Sequence, residues 1–243
     1  VKIQKVSIPI DGQQIRGTLF FPEILHTKNP AVLFIHGWNS KEDGYFPRTE
    51  AVVQYGAIAL TINLRGHGTS DGDLEDFSRK DHLKDAITAY DFLASQEGVD
   101  KTRIGVIGAS YGGYLASILS SKRKIKYMVF RAPALYQDRD FEVPTAYLIR
   151  ADEEVYRQAA LSANNNIALQ AISLYFNYFL LVESEFDDIC PQEITNNYYT
   201  AISPKARKDY QIIEGAGHNL ESQISKQAFI DILSDWFGRV LVP

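Results

Sequence analysis

Compact apolar runs recur along the chain at Ala31–Ile35, Ala57–Ile62, Ile104–Ile107, Tyr127–Phe130 and Phe179–Val182, and more weakly at Tyr210–Ile213. They lack the alternation of a strand with one wet face, so each predicts a strand covered on both faces. Ahead of them, Ile3–Ile10, the turn pair Asp11-Gly12 and Ile15–Phe21 predict an antiparallel hairpin. Helical periodicity fills the gaps. Leu83, Ala86, Ile87, Tyr90, Leu93 and Ala94 share one stripe, with Ser78 and Asp81 in capping-box spacing before it. Ile224, Ala228, Phe229, Ile232, Leu233, Trp236 and Phe237 mark a terminal helix, with Gly238 as its stop. This strand–helix rhythm predicts an α/β protein with a mostly parallel central sheet and helices on both faces.

The rhythm breaks between Pro133 and Asn177, where the spacing is too long for a simple crossover. Residues 134–176 read as a small cap inserted over one end of the sheet, ending in a helical stretch from Ile167 to Tyr175. No repeat, low-complexity tract or linker divides the chain, so residues 1–243 read as a single domain.

Charge and composition remove several function classes. With 25 Lys+Arg against 30 Asp+Glu among 243 residues, the formal net charge is −5, which argues against a surface for nucleic acid. The 45% hydrophobic content supplies a sizeable core, yet the apolar runs are far too short to span a bilayer, so no membrane partner is expected. Cys190 is the only cysteine, which forbids an internal disulfide; it reads as a buried packing residue, with contact to the site beside the acid loop as the alternative. With no secretory leader pattern near the start, the expectation is a cytoplasmic protein.

The sharpest chemical signal is Gly108-Ala109-Ser110-Tyr111-Gly112, after a strand starting at Arg103 and before a helix over Tyr114–Leu119. G-x-S-x-G in a strand–turn–helix setting lifts a serine hydroxyl above the sheet edge, and its glycines admit close backbone approach. A serine hydroxyl needs a general base, and that base needs an orienting carboxylate. His218, in Gly215-Ala-Gly217-His218-Asn219 just after the last strand, is the expected base. His36 and His67 read as structural, while His26 and His82 read as solvent-exposed. The loop after Phe179–Val182 offers Glu183, Glu185, Asp187 and Asp188, and position alone leaves the choice among them open. The acidic run Asp71, Asp73, Glu75, Asp76 lacks a full calcium-loop pattern, so neither a metal nor a cofactor is expected.

Together these residues resemble the α/β-hydrolase superfamily over essentially the whole chain, including its order of serine, acid and histidine. His36-Gly37-Trp38 is similar to that family's oxyanion loop, which implies backbone N–H donors at Trp38 and Tyr111. Arg65-Gly66-His67-Gly68-x-Ser70 resembles a stretch found in many esterases, lipases and peptidases. The family's Gly-x-x-Asp-x-x-x-Pro form implies Asp187, four residues before Pro191, as the triad acid, with Asp188 second. The loop departs from the pattern in carrying Glu183-Ser184 where His-Gly is common. Gly-x-Ser-Tyr-Gly-Gly-Tyr also resembles the prolyl-oligopeptidase-like peptidases, but 243 residues leave no room for their usual β-propeller. Small feruloyl and cinnamoyl esterases fit the size better. The resemblance therefore implies a serine carboxylesterase acting on small acyl or phenolic esters, with a peptidase or amidase and a non-hydrolytic binding protein as alternatives. Trp38, Tyr45, Phe46, Tyr136, Phe141 and Tyr147 read either as pocket walls or as packing, and Asp138 and Asp140 read as surface acids, with selection of a cationic or hydroxylated substrate as the alternative.

Overall fold

A computed structural model describes residues 1–149 and 152–241. Eight strands form one sheet: β1 (Lys2–Ile10), β2 (Gln13–Phe21), β3 (Asn29–Ile35), β4 (Ile58–Ile62), β5 (Val99–Ala109), β6 (Tyr127–Arg131), β7 (Tyr178–Phe186) and β8 (Arg207–Gly217). Their spatial order is β1-β2-β4-β3-β5-β6-β7-β8. β1 and β2 form the antiparallel hairpin, turning through Asp11 (φ 49°) and Gly12 (φ 77°), and β2 runs antiparallel to β4. From β4 to β8 every pairing is parallel. After β3 the chain steps back to β4 and then across to β5, so the order reverses between β3 and β5 and a crevice opens at the carboxyl ends of these strands.

The unbroken apolar runs are explained by two cores. In β3, Ala31, Leu33 and Ile35 face one core while Val32 and Phe34 face the other, and β4 and β6 divide in the same way. The first core is closed by α2 (Arg79–Ser95), α3 (Tyr111–Leu119), α5 (Ile167–Ser173) and α6 (Gln192–Ala201), the second by α1 (Phe46–Val53) and α7 (Gln223–Leu241). Ser78 caps α2 through a full capping box with Asp81.

Two sequence expectations need correction. Gly238 does not stop the last helix, which continues to Leu241; a Cβ there would sit 2.9 Å from the Tyr55 hydroxyl, so this glycine permits close packing of α7 on Tyr55. His82 is not exposed but wholly buried, since it lies on the inner side of α2 beneath the loop after β4.

The segment between β6 and β7 carries two 3-10 turns (Asp138–Asp140 and Thr145–Tyr147), the short helix α4 (Glu153–Arg157) and α5. Arg150 and Ala151, which fall within the expected cap, lie outside the described residues. Asp138 accepts hydrogen bonds from the backbone N–H of Ile167, so this acid secures the start of α5.

Candidate active site

The turn from β5 into α3 forces Ser110 into φ 50°, ψ −115°, a backbone region that costs a non-glycine residue about 1–3 kcal/mol. It is held there by its N–H to the Arg131 carbonyl (2.9 Å) and by the Ala134 N–H donating to its own carbonyl (3.0 Å). The flanking glycines have steric reasons. A Cβ on Gly108 would strike the Gly112 carbonyl, and one on Gly112 would strike the Ile35 carbonyl and lie 2.8 Å from the His36 carbonyl. Gly112→Ala should therefore cost about 1–3 kcal/mol of stability by overpacking. Urea denaturation checks this, and an unchanged midpoint would show that α3 can shift away from β3.

The sheet register delivers the other two side chains. β7 and β8 pair regularly to Ser184 opposite Ile213, then skip to Phe186 opposite Gly217. The next residue of each strand is Asp187 and His218, so the irregularity sets these two beside one another at the carboxyl edge. His218 Nδ1 lies 2.8 Å from both oxygens of Asp187, and His218 Nε2 lies 3.0 Å from Ser110 Oγ. Asp187 Oδ1 also accepts from the N–H of Ile189 (3.0 Å) and of Cys190 (2.7 Å), which fixes the carboxylate. Among the four loop acids, Glu183 bonds the Tyr210 hydroxyl, Glu185 bonds the Gly215 N–H, and Asp188 is exposed. The Asp187 and His218 side chains are only 3% and 7% exposed.

Tyr111 is the first residue of α3, directly beside Ser110, where helix N–H groups have no partner within the helix. Trp38 stands in the loop after β3, with its indole edge-on to Tyr111 at 5.0 Å between ring centroids. Below them lie three buried histidines. His36 donates through Nδ1 to the Gly37 carbonyl (2.7 Å) and accepts at Nε2 from the Leu64 N–H (3.0 Å). His82 donates through Nε2 to the Arg65 carbonyl (3.0 Å) and accepts at Nδ1 from the Tyr111 hydroxyl (2.9 Å). Burial first, and His67 second, lowers both imidazoles to about 3, so they are neutral braces under the loops. Burial also lowers His67, whose ring lies against His36 and His82. Arg65, 3% exposed, is bound to fully buried Asp85 (2.7 Å), and this pair ties the loop after β4 to α2.

A cavity of about 700 Å³ opens over Ser110 and His218. Trp38, Tyr45, Tyr136, Leu148, Ile189 and Phe229 give it apolar walls. Of the other aromatics singled out in the sequence, Phe46 packs on Phe20, Phe141 against the first core, and Tyr147 is 76% exposed. Two further side chains bear on the site, and of these only Arg131 escaped the sequence reading. Cys190, 2% exposed, brings its thiol to the Ser110 hydroxyl; burial, then the Asp187 charge, pushes that thiol up to about 12, so it stays protonated. Arg131 ends β6 inside the cavity, and the available signal was a charge closing an otherwise apolar strand. Among the described residues no group of three or more His, Cys, Asp and Glu side chains could hold a metal ion.

The family model for the prolyl oligopeptidase family matches residues 45–242, which include Ser110, Asp187 and His218. The chain belongs to the prolyl oligopeptidase family. It is a serine hydrolase of the α/β-hydrolase fold. Among family-wide likenesses, an uncharacterised protein of Mycobacterium tuberculosis (strain ATCC 25618 / H37Rv) is 24% identical over 234 residues, covering 96% of this chain and 78% of that protein. The uncharacterised peptidase YuxL of Bacillus subtilis (strain 168) is 24% identical over 259 residues, covering 95% of this chain but only 38% of the peptidase. The structure of Est1E from Butyrivibrio proteoclasticus with ferulic acid bound shares the fold at a TM-score of 0.76 and 16% identity, covering 96% of this chain and 98% of that one.

Proposed function

We propose that the protein is a carboxylesterase that hydrolyses small acyl or phenolic esters through Ser110, His218 and Asp187. The observation that carries this reading is the continuous chain of contacts from Asp187 through His218 to Ser110 at the floor of the cavity. Ser110 Oγ attacks the ester carbonyl carbon while His218 Nε2 takes the hydroxyl proton. Asp187 holds Nδ1–H and so keeps Nε2 as the accepting nitrogen. The oxyanion is met by the backbone N–H groups of Tyr111 and Trp38, the first aided by the start of α3. Collapse breaks the ester C–O bond, and His218 returns its proton to the leaving alcohol. Water then gives a proton to His218 and its oxygen to the acyl carbon, releasing the acid and restoring the serine.

The apolar walls suit an aromatic or medium-length group, and about 700 Å³ lies within the range of small-molecule sites. Est1E, bound to ferulic acid, supports the phenolic choice by its shared fold. Family membership and the likeness to YuxL favour a second reading, amide or peptide hydrolysis. A panel of p-nitrophenyl acetate, p-nitrophenyl butyrate, methyl ferulate and a peptide anilide separates them. We expect the esters to give an acylation burst and the larger kcat/KM; an anilide matching or exceeding them would replace esterase with peptidase.

A further inference from the structure

The whole chain carries a net charge of −5, yet among the described residues the cavity over Ser110 is lined by Arg48, Arg79, Arg131, Arg157 and Lys226 against one acid, Glu153. Glu153 is taken by Arg157 at 2.6 Å. Among the described residues, Arg48, Arg79, Arg131 and Lys226 have no carboxylate within ion-pair distance. The Asp187 charge acts on Arg131, but both Asp187 oxygens already face His218.

Burial makes this arrangement costly. Arg131 is 6% exposed and donates through Nη2 to Ser184 Oγ (2.8 Å) and the Gly217 carbonyl (3.2 Å), while its Nε is buried without a partner. Arg48, from α1 across the cavity, rests on the rings of Tyr45 and Phe229, and its Nε is likewise buried and unpaired. Burial foremost lowers the proton affinity of both guanidiniums; at Arg131, Tyr45 and the Asp187 charge work against that effect and Arg48 adds to it. A buried cation is normally compensated by an anion, and the Nε edge is the one a carboxylate grips in a two-point bond.

We propose that the substrate ester carries a carboxylate on its acyl or alcohol part, held between Arg48 and Arg131 beside the reacting carbonyl. This inference rests on the esterase reading above and specifies its substrate class. The apolar walls would then hold the body of the substrate, and the arginines would set which end enters. Arg131 and Arg48 lie on the side of the sheet covered by α1 and α7, so the anionic end points toward those helices.

Two isosteric pairs test it. The first compares monoethyl glutarate with ethyl 4-carbamoylbutanoate, placing the charge on the acyl side. The second compares 4-acetoxybenzoate with 4-acetoxybenzamide, placing it on the alcohol side. In at least one pair the carboxylate should exceed the carboxamide roughly tenfold or more in kcat/KM, as a charge-assisted bond gives. That ratio should fall toward one in Arg48→Gln and in Arg131→Gln. It should stay unchanged in Lys101→Gln, an equal loss of charge at the exposed, opposite end of β5. Because the ratio is taken within one protein, partial loss of folded material in Arg131→Gln does not obscure it, and Arg48→Gln gives an independent reading. Equal rates within both pairs, or a ratio kept in both arginine variants, would overturn the inference while leaving the esterase standing. No turnover of any of the four esters, with no labelling by a serine-directed fluorophosphonate, would instead remove the esterase reading and this inference with it.

Discussion

Ser110→Ala should lower kcat/KM for any turned-over ester by roughly 10⁴- to 10⁶-fold, and His218→Ala should cost about as much. The reason is geometric. Ser110 Oγ has His218 Nε2 at 3.0 Å as the group that can remove its proton, and neither residue does useful work without the other. The double variant should therefore be scarcely slower than either single one, since losses within one acting unit do not add. Asp187→Asn should cost about 10³- to 10⁴-fold by presenting the wrong tautomer of His218, whereas Asp188→Asn, at an exposed position, should leave the rate nearly intact. Steady-state kinetics on purified variants decides both points. A large loss in Asp188→Asn with a small one in Asp187→Asn would reverse the assignment of the acid.

Acid should destabilise the fold through its buried histidines. His36 and His82 fall from 6.5 to about 3 because both are buried and both feel His67. Protonating His36 would aim a new N–H at the Leu64 N–H, and protonating His82 would aim one at the Tyr111 hydroxyl, which would have to turn. Between pH 6.5 and 3 the unfolded chain thus binds more protons than the folded one. Stability from these groups is complete above pH 6.5 and is lost as pH falls toward 3. Each contributes a slope of about 1.4 kcal/mol per pH unit. Asp85 works in the opposite direction: burial raises it to about 6, so the folded chain gains stability as pH falls from 6 to 3.8. Asp138, also raised by burial, works in the same direction as Asp85, whereas His67, lowered by burial, joins His36 and His82, so stability falls as pH falls through this window. Urea denaturation at a series of pH values from 7 to 4.5 should show this decline. In His82→Gln the slope should shrink by about 1.4 kcal/mol per pH unit, even though the starting stability is lower. An unchanged slope would mean that His82 is already protonated in the fold.

Much of the fold was legible because local pattern and tertiary demand agree. The apolar runs of β3, β4, β6 and β7 have no polar side, and the structure gives each a core on both faces. The elbow serine was legible because Gly108 and Gly112 are required by backbone contacts that any side chain would break. Other features depended on the far side of a contact. Gly238 looked like a helix stop, and only the position of Tyr55 shows that it serves close packing. His82 follows the polar run Arg79-Lys80-Asp81 in sequence, and its burial follows from the Arg65 loop folding over α2. α1 and α6 were missed: α1 is short with Pro47 in its first turn, and α6 interleaves its few apolar residues with polar ones. The convergence of Arg48 from α1 with Arg131 from β6 has no local signature, since a whole-chain count of −5 conceals a cationic cavity. The juxtaposition of Asp187 and His218 arises from the irregular pairing of β7 with β8, which residue spacing does not encode.

Acylation of Ser110 is the step on which hydrolysis through Ser110, His218 and Asp187 depends. Rapid mixing with p-nitrophenyl acetate, acid quench and peptide mass spectrometry should find one acetyl group per chain, on the peptide containing Ser110, with p-nitrophenol released in an equivalent burst. The same sample of His218→Ala should carry almost none. Acetyl groups confined to surface lysines or to Cys190, with Ser110 unmodified in the folded protein, would contradict the assignment of Ser110 as the nucleophile.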